Sequence, residues 1–164
     1  MGLNAEALFR EHHLGLYRYL VRLTGDEAEA KDAVQHAFLR LLEQPPEDQR
    51  VKAWLFTVAT NAVREWNRNE RRRDTLIRDN AWRVPAPGRP ARPDEGPDPS
   101  EVARLRDALG KLSERERAVL LLRTEGLRHR EIADAVGTTT GSVGTMVARA
   151  LDRLSEILDP EGGS

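Results

Sequence analysis

Over most of this sequence apolar side chains recur every three or four residues, the period of a helix with one buried face. In the first stretch Leu8, Phe9, Leu16, Tyr17, Leu20 and Val21 follow Asn4, whose side chain suits an N-cap, and the helix is expected to end near Gly25. Asp26 opens a second helix with Ala30, Ala33, Val34, Ala37, Phe38, Leu41 and Leu42 as its stripe, and Pro45-Pro46 stops it. The spacing predicts a third helix from about Val51, with Trp54, Leu55, Val58, Ala59, Ala62 and Trp66 on one face, running on into an arginine-rich end. Three such helices can share a core.

Between about Asp79 and Pro99 the period disappears, and Pro85, Pro87, Pro90, Pro93, Pro97 and Pro99 occur with Gly88 and Gly96. A stretch of that composition inside a compact domain is unexpected, so it reads as a proline-stiffened tether. The expected division is 1–78, a first helical domain; 79–99, a linker; and 100–164, a second helical domain, each burying its own core. Ser100 is the expected N-cap of the fourth helix, which should end at Gly110. Ser113 and Glu116 then stand at capping-box spacing before Val119, Leu120 and Leu122, with Gly126 at the helix end. A short helix from about Arg128 to Val136, a turn at Gly137 and a longer helix from about Thr140 to Leu158 complete the chain.

That last pair has the layout of a helix-turn-helix. Ile132, Ala133 and Val136 face Val143, Val147, Ala150 and Leu151 across the glycine turn, and a small residue at Ala133 allows a steep approach. The N-terminal turn of the second helix would then project far enough to enter a major groove. An ordinary helical hairpin is the plainer alternative.

Composition agrees with an all-α, two-domain chain: 39% apolar and 32% charged residues, with only 5% aromatic. Absence of cysteine excludes disulfides and thiolate metal sites. No run is long and apolar enough to span a bilayer, and the N-terminus lacks the features of a signal peptide, so a cytoplasmic protein without direct membrane insertion is expected. The net charge of −1 argues against indiscriminate binding to nucleic acid, yet Arg64, Arg68, Arg71, Arg72 and Arg73 stand together at one helix end. A solvated helix terminus would account for that run equally well.

Two stretches carry a family resemblance. The sequence LSERERAVLLLRTEGLRHREIADAVGTTTGSVGTMVARALDRL, within Leu109 to Leu154, resembles region 4 of bacterial sigma factors, with its LxxxxRxVLxL helix, EIA helix and GSV…RA…L helix. Leu8 to Arg73 resembles region 2: Asp32, Gln35 and Phe38 stand at D-x-x-Q-x-x-F spacing, and WLFTVATN, from Trp54 to Asn61, is similar to the WLY…N signature. With no other sigma domain present, the chain is identified as a member of the sigma-70 family's extracytoplasmic-function (ECF) group.

The resemblance implies binding to core RNA polymerase, through the β′ clamp helices and the β flap, and to promoter DNA, and it makes an anti-sigma partner an expectation. It places Asp32, Gln35 and Arg40 on the polymerase-facing side of the second helix. Phe38, lying in the apolar stripe, is expected in the core. Asn61, whose amide offers a donor and an acceptor, is the expected reader of a −10 base, with Arg64, Arg68, Arg71, Arg72 and Arg73 along the phosphates. Trp66 could stack on a base but is expected to pack inward. For the −35 element the candidates are Arg130, Thr139, Thr140, Ser142, Thr145 and Arg149. Many family members carry Arg or Lys where this chain has Gly144 and Met146, and no basic group lies between Glu131 and Arg149. Reading of −35 is therefore expected to use phosphates, hydroxyls, shape and methyl contacts rather than strong guanine contacts.

A LuxR-type regulator is the main rival, because the helix-turn-helix resembles that class too. Its usual first domain would require strands, whereas the first half here reads as three helices. An enzyme or metal protein is the remaining class. His12, His13, His36 and His129 are the only histidines, and an ordinary i,i+4 pair explains Asp32 and His36. No catalytic role and no cofactor are expected.

Overall fold

The computed structural model describes residues 4–47, 50–73 and 98–160, with side chains of the third helix through Asn69. Within them are seven helices: α1 (Ala5–Thr24), α2 (Glu27–Glu43), α3 (Val51–Arg73), α4 (Pro99–Lys111), α5 (Glu114–Thr124), α6 (His129–Val136) and α7 (Thr140–Leu158). No strand occurs among the described residues. The proposed tether lies outside them, apart from its last two positions.

Caps set most helix ends. Asn4 accepts from the Ala7 amide, Asp26 from Ala28 and Glu29, and Gly25 closes α1 in the left-handed region at φ 71°. Ser113 and Glu116 form the full capping box of α5. The start of α4 differs from expectation. Asp98, not Ser100, is its cap, because the Asp98 carboxylate accepts from the Ser100 amide and Pro99 takes the first helical position, where its missing N–H costs nothing. The helix also runs past Gly110 to Lys111.

Helices α1, α2 and α3 pack together, and α4 to α6 pack against α7. Inside the first group the Tyr19 hydroxyl meets Thr60 Oγ1 at 2.7 Å, and Thr60 donates to the Phe56 carbonyl, so both polar groups are satisfied although fully buried. Burial pushes the Tyr19 phenol well above its ordinary range. Phe38 is buried edge-on to Phe9, as expected of a core residue. Three stripe residues depart from the pattern: Phe9 is 44% exposed, Leu42 64% and Leu151 47%. Leu42 and Leu151 lie at the margins of their stripes, whereas Phe9 still packs one edge on Phe38.

The expectation of two separate cores changes in one respect. The halves pack on each other, α3 against α6 and α1 against α5, and buried apolar side chains form one cluster through both. Arg117 ties this junction. Its side chain is only 6% exposed, and it donates from Nε to the Leu23 carbonyl at the end of α1. From one terminal nitrogen it donates to the Leu109 and Leu112 carbonyls at the end of α4. Carbonyls at two helix ends are thus gathered on one guanidinium group.

Candidate nucleic-acid interface

Four turns of α3 decide which of its residues can meet a ligand. Ala59, Thr60, Ala62 and Val63 are buried, leaving Asn61 and Arg68 exposed and Arg64 half-buried. Asn61, Arg64 and Arg68 follow at i, i+3 and i+7, so one edge of the helix carries all three. Trp66 is half-buried with its indole edge-on to His36, which supports the packing role. Side chains of Arg71, Arg72 and Arg73 lie outside the described residues.

Arg64 is already engaged. It donates to the Asn61 amide oxygen and to the Ala135 carbonyl in the last turn of α6, both at 3.1 Å. Arg115 donates to the next carbonyls, Val136 and Gly137. Two guanidinium groups therefore cap the negative end of one helix dipole. Burial, followed by repulsion from Arg115 and Arg68, lowers the pKa of Arg64 from its ordinary value. The turn admits this approach because residue 137 is glycine. Its φ of 72° suits no branched side chain, and a Cβ there would lie 2.8 Å from an Arg64 terminal nitrogen.

Arg50, just before α3, and further polar groups of α3 also face the second half. Arg50 meets Glu131 at 3.0 Å, and Lys52 donates to the Glu125 carbonyl at 2.8 Å with the Glu125 carboxylate 3.4 Å away. Asn67 donates to the Glu114 carboxylate. No local pattern marks Arg50, Lys52 or Asn67, whose partners lie far away in the chain, whereas Arg117 is the arginine of the LxxxxRxVLxL pattern. Arg130 lines a cleft of about 240 Å³ with Trp54 and Thr57 of α3 and Asp134 of α6.

The helix-turn-helix takes the expected form. Gly137 and Thr138 both donate to the Ala133 carbonyl, Ala133 is buried at the crossing, and Val143, Val147 and Ala150 face inward. Thr139 is the N-cap residue of α7, its hydroxyl 2.7 Å from that of Ser142. Thr139, Thr140, Thr145 and Arg149 are exposed, and Thr145 and Arg149 share the outer face one turn apart. On α2, Asp32, Gln35 and Arg40 are exposed, and Leu39, 58% exposed, continues the face of Asp32 and Gln35.

No group of three or more metal-ligating side chains is found among the described residues, and no described helix is long and apolar enough to cross a membrane.

Comparison with known proteins extends this picture. The family profile of Sigma-70 region 2 matches residues 8–73, and that of Sigma-70 region 4 matches residues 103–154. The ECF RNA polymerase sigma factor SigL of Mycobacterium tuberculosis is 33% identical over 161 residues, covering 95% of this chain and 89% of the relative. The RNA polymerase sigma factor CarQ of Myxococcus xanthus is 32% identical over 157 residues, covering 93% and 88%. Among solved structures, the fold is similar to that of RpoE in its complex with the anti-sigma factor NepR from Bartonella quintana. There the TM-score is 0.74 at 21% identity, over 95% of this chain and 97% of the other. CnrH in complex with the cytosolic domain of CnrY gives a TM-score of 0.66 at 24% identity, over 96% and 88%. The region 2 match in the first half leaves the LuxR-type alternative without support. With both regions matched in order and relatives a third identical along nearly their whole length, the chain belongs to the ECF group of RNA polymerase sigma factors.

Proposed function

We propose that this chain binds core RNA polymerase, brings it to promoters by contacting the −10 and −35 elements, and performs no catalytic step itself. It works in the cytoplasm as 1–78 and 100–164, two DNA-contacting units joined by the tether 79–99. The observation that carries this reading is the single edge of α3 on which an exposed amide, Asn61, stands beside Arg64 and Arg68. An amide can pair with an unstacked base edge while guanidinium groups follow the phosphates, and Arg71, Arg72 and Arg73 continue the basic run. On α7, Thr139, Thr140, Ser142, Thr145 and Arg149 contact the −35 duplex, with Arg130 beside them on α6. Asp32, Gln35 and Arg40 on α2 dock on the β′ clamp helices, and the second unit meets the β flap. A protein inhibitor of the anti-sigma type is part of this proposal, in keeping with the two complexes of similar fold.

Reconstitution with core polymerase on a promoter set with each −10 base varied tests it. Asn61→Ala is expected to cost about 1–3 kcal/mol in open-complex formation and to relax preference at one −10 base. Arg68→Ala is expected to weaken all promoters alike and to lower the salt slope by about 1, because one fewer counterion is released. Unchanged base preference in Asn61→Ala overturns its role as the reader. A core polymerase that gains no promoter selectivity from the chain overturns the function.

A further inference from the structure

We infer that His129, reaching over from α6, reads a −35 base on behalf of α7: its imidazole stands at the place that Gly144 leaves without a side chain and donates to N7 of a purine. This rests on the −35 reading of α7. His129 opens α6, Gly144 lies in the second turn of α7, and both are exposed. A Cβ built on Gly144 would come within 3.8 Å of His129 Cε1, and no other atom from outside α7 lies that near among the described residues. Cε1 is the carbon between Nδ1 and Nε2, so the imidazole turns its polar edge toward α7. The other histidines are engaged. His13 donates from Nδ1 to the Phe9 carbonyl at 2.6 Å and stacks on the Phe9 ring, His36 lies edge-on to Trp66, and His12 has the Glu11 carboxylate at 3.8 Å. Among the described residues nothing bonds to the His129 ring, so its nitrogens are left for a group outside the chain.

Position decides what the ring can meet. Thr145 follows Gly144 directly and shares with Arg149 the outer face assigned to the duplex, so Gly144 borders that face. With no side chain at 144 a base edge can approach the α7 backbone there, and a ring with two nitrogens is held beside it by the neighbouring helix. That helix is a firm support: Ile132, Ala133, Ala135 and Val136 are buried, and at its start the Arg128 amide donates to the Glu131 carboxylate at 2.8 Å. An imidazole carries an N–H in either tautomer, and N7 is the acceptor that both purines show in the major groove. A pyrimidine has no acceptor at that point. Arg128 and Arg130, exposed on either side of His129 in the chain, have the fixed charge and the reach for phosphates and leave the ring to the base. Although no basic group lies between Glu131 and Arg149 in sequence, the second turn of α7 thus has a nitrogen donor, supplied from position 129.

The test is binding of the holoenzyme, reconstituted with the full-length chain, to a promoter duplex that carries 7-deazapurine at one −35 purine at a time. That analogue replaces only N7 by C–H. At one position the wild-type chain should lose affinity about threefold to tenfold, the worth of one neutral hydrogen bond. His129→Ala should lose about as much on the unmodified duplex and show no further loss from the analogue at that position. His129→Phe keeps a ring at the place but has no N–H, and it should behave as His129→Ala does; circular dichroism checks that both variants are folded. A wild-type chain indifferent to the analogue at every −35 purine overturns the inference, and so does sensitivity that persists unchanged in either variant. Arg149→Ala on the same duplexes judges the −35 reading separately. A loss of affinity there, with the His129 variants binding as wild type does, removes His129 alone. No loss in Arg149→Ala and no effect of the analogue removes the −35 reading of α7, and His129 with it.

Discussion

The edges of α3 and α7 are both proposed to meet promoter DNA, but the chain equips them in opposite ways. On α3 the groups are cationic and engaged: Arg64 is bonded to α6, and Lys52, with Arg50 just before the helix, is paired with a carboxylate of the second half. On α7 they are hydroxyls with one arginine, Arg149, and the outer face is open to solvent. Strong charge attracts any phosphate, so an edge of that kind is the one whose accessibility matters most for selectivity. A hydroxyl-rich helix edge with few cations has little non-specific affinity and can stay uncovered. The net charge of −1 thus conceals a local excess of arginine in α3, and three carboxylates of the second half meet Arg50, Lys52 and Asn67.

Arg117 offers the harshest way to break the comparison, because it supports both sides of the junction. Replacing it with Met should take a donor from three buried carbonyls, those of Leu23, Leu109 and Leu112, with Leu109 keeping the Leu112 amide. A hydrogen bond from a charged group contributes about 1.5–3 kcal/mol, and three share one side chain here, so a loss of about 3 kcal/mol or more is expected. Urea unfolding followed by circular dichroism measures it. A loss below about 1 kcal/mol would mean that water reaches these carbonyls and that Arg117 is no tie.

A milder substitution would make α7 resemble α3. Gly144 is exposed in the second turn of α7, and a Cβ built there comes no closer than 3.8 Å to His129, an ordinary contact. Gly144→Arg should therefore fold, and removing a helix-interior glycine should stabilise by about 0.5–1 kcal/mol. It should also steepen the salt dependence of holoenzyme binding by about 1 through an added phosphate contact. Fluorescence anisotropy on a promoter duplex across salt concentrations reads this. An unchanged slope would place residue 144 away from the duplex.

What could be read from the sequence follows from how local each determinant is. Asn4, Asp26, Ser113 with Glu116, and Gly137 bond within a few residues of themselves, and each marks a helix boundary where periodicity places it. The cap of α4 is Asp98 rather than Ser100, and Pro99 between them is a local mark of this, since proline suits the first helical position. Leu42 and Leu151 have core spacing but lie at the stripe margin, which only the position of the neighbouring helix decides. The two stretches proposed to contact DNA are contiguous, so Asn61 and the α7 hydroxyls stand out in the sequence as candidates. Contact of α3 with α6 could not, because Arg64 and Ala135 are far apart in the chain and neither has a local mark of the other.

Acid provides the gentlest probe, and a Glu116 variant isolates its action on the support of α7. Glu116 accepts from the Ser113 amide at 3.0 Å, and Arg153 of α7 reaches it at 3.4 Å, so one carboxylate both caps α5 and holds α7. Burial works to raise its pKa, but the Ser113 hydrogen bonds and the Arg153 charge outweigh it, and the carboxyl sits below its ordinary value of 4.5. A carboxyl depressed in the folded state binds its proton more weakly there than in the unfolded chain. Its contribution is therefore complete above pH about 4.5 and is lost as pH falls through the lower folded value. Glu116→Gln keeps an acceptor at the cap but has no charge to lose. Thermal unfolding of the two proteins should differ most at neutral pH, by several tenths of a kcal/mol to about 1 kcal/mol, a cap and a half-exposed ion pair together. The difference should close as pH falls below 4.5 and through the lower folded value, wild type approaching the variant from above. A gap that stays constant through that range would show that the charge of Glu116 contributes nothing. The hold on α7 would then rest on its buried face of Val143, Val147 and Ala150, leaving the open edge independent of charge on both its sides.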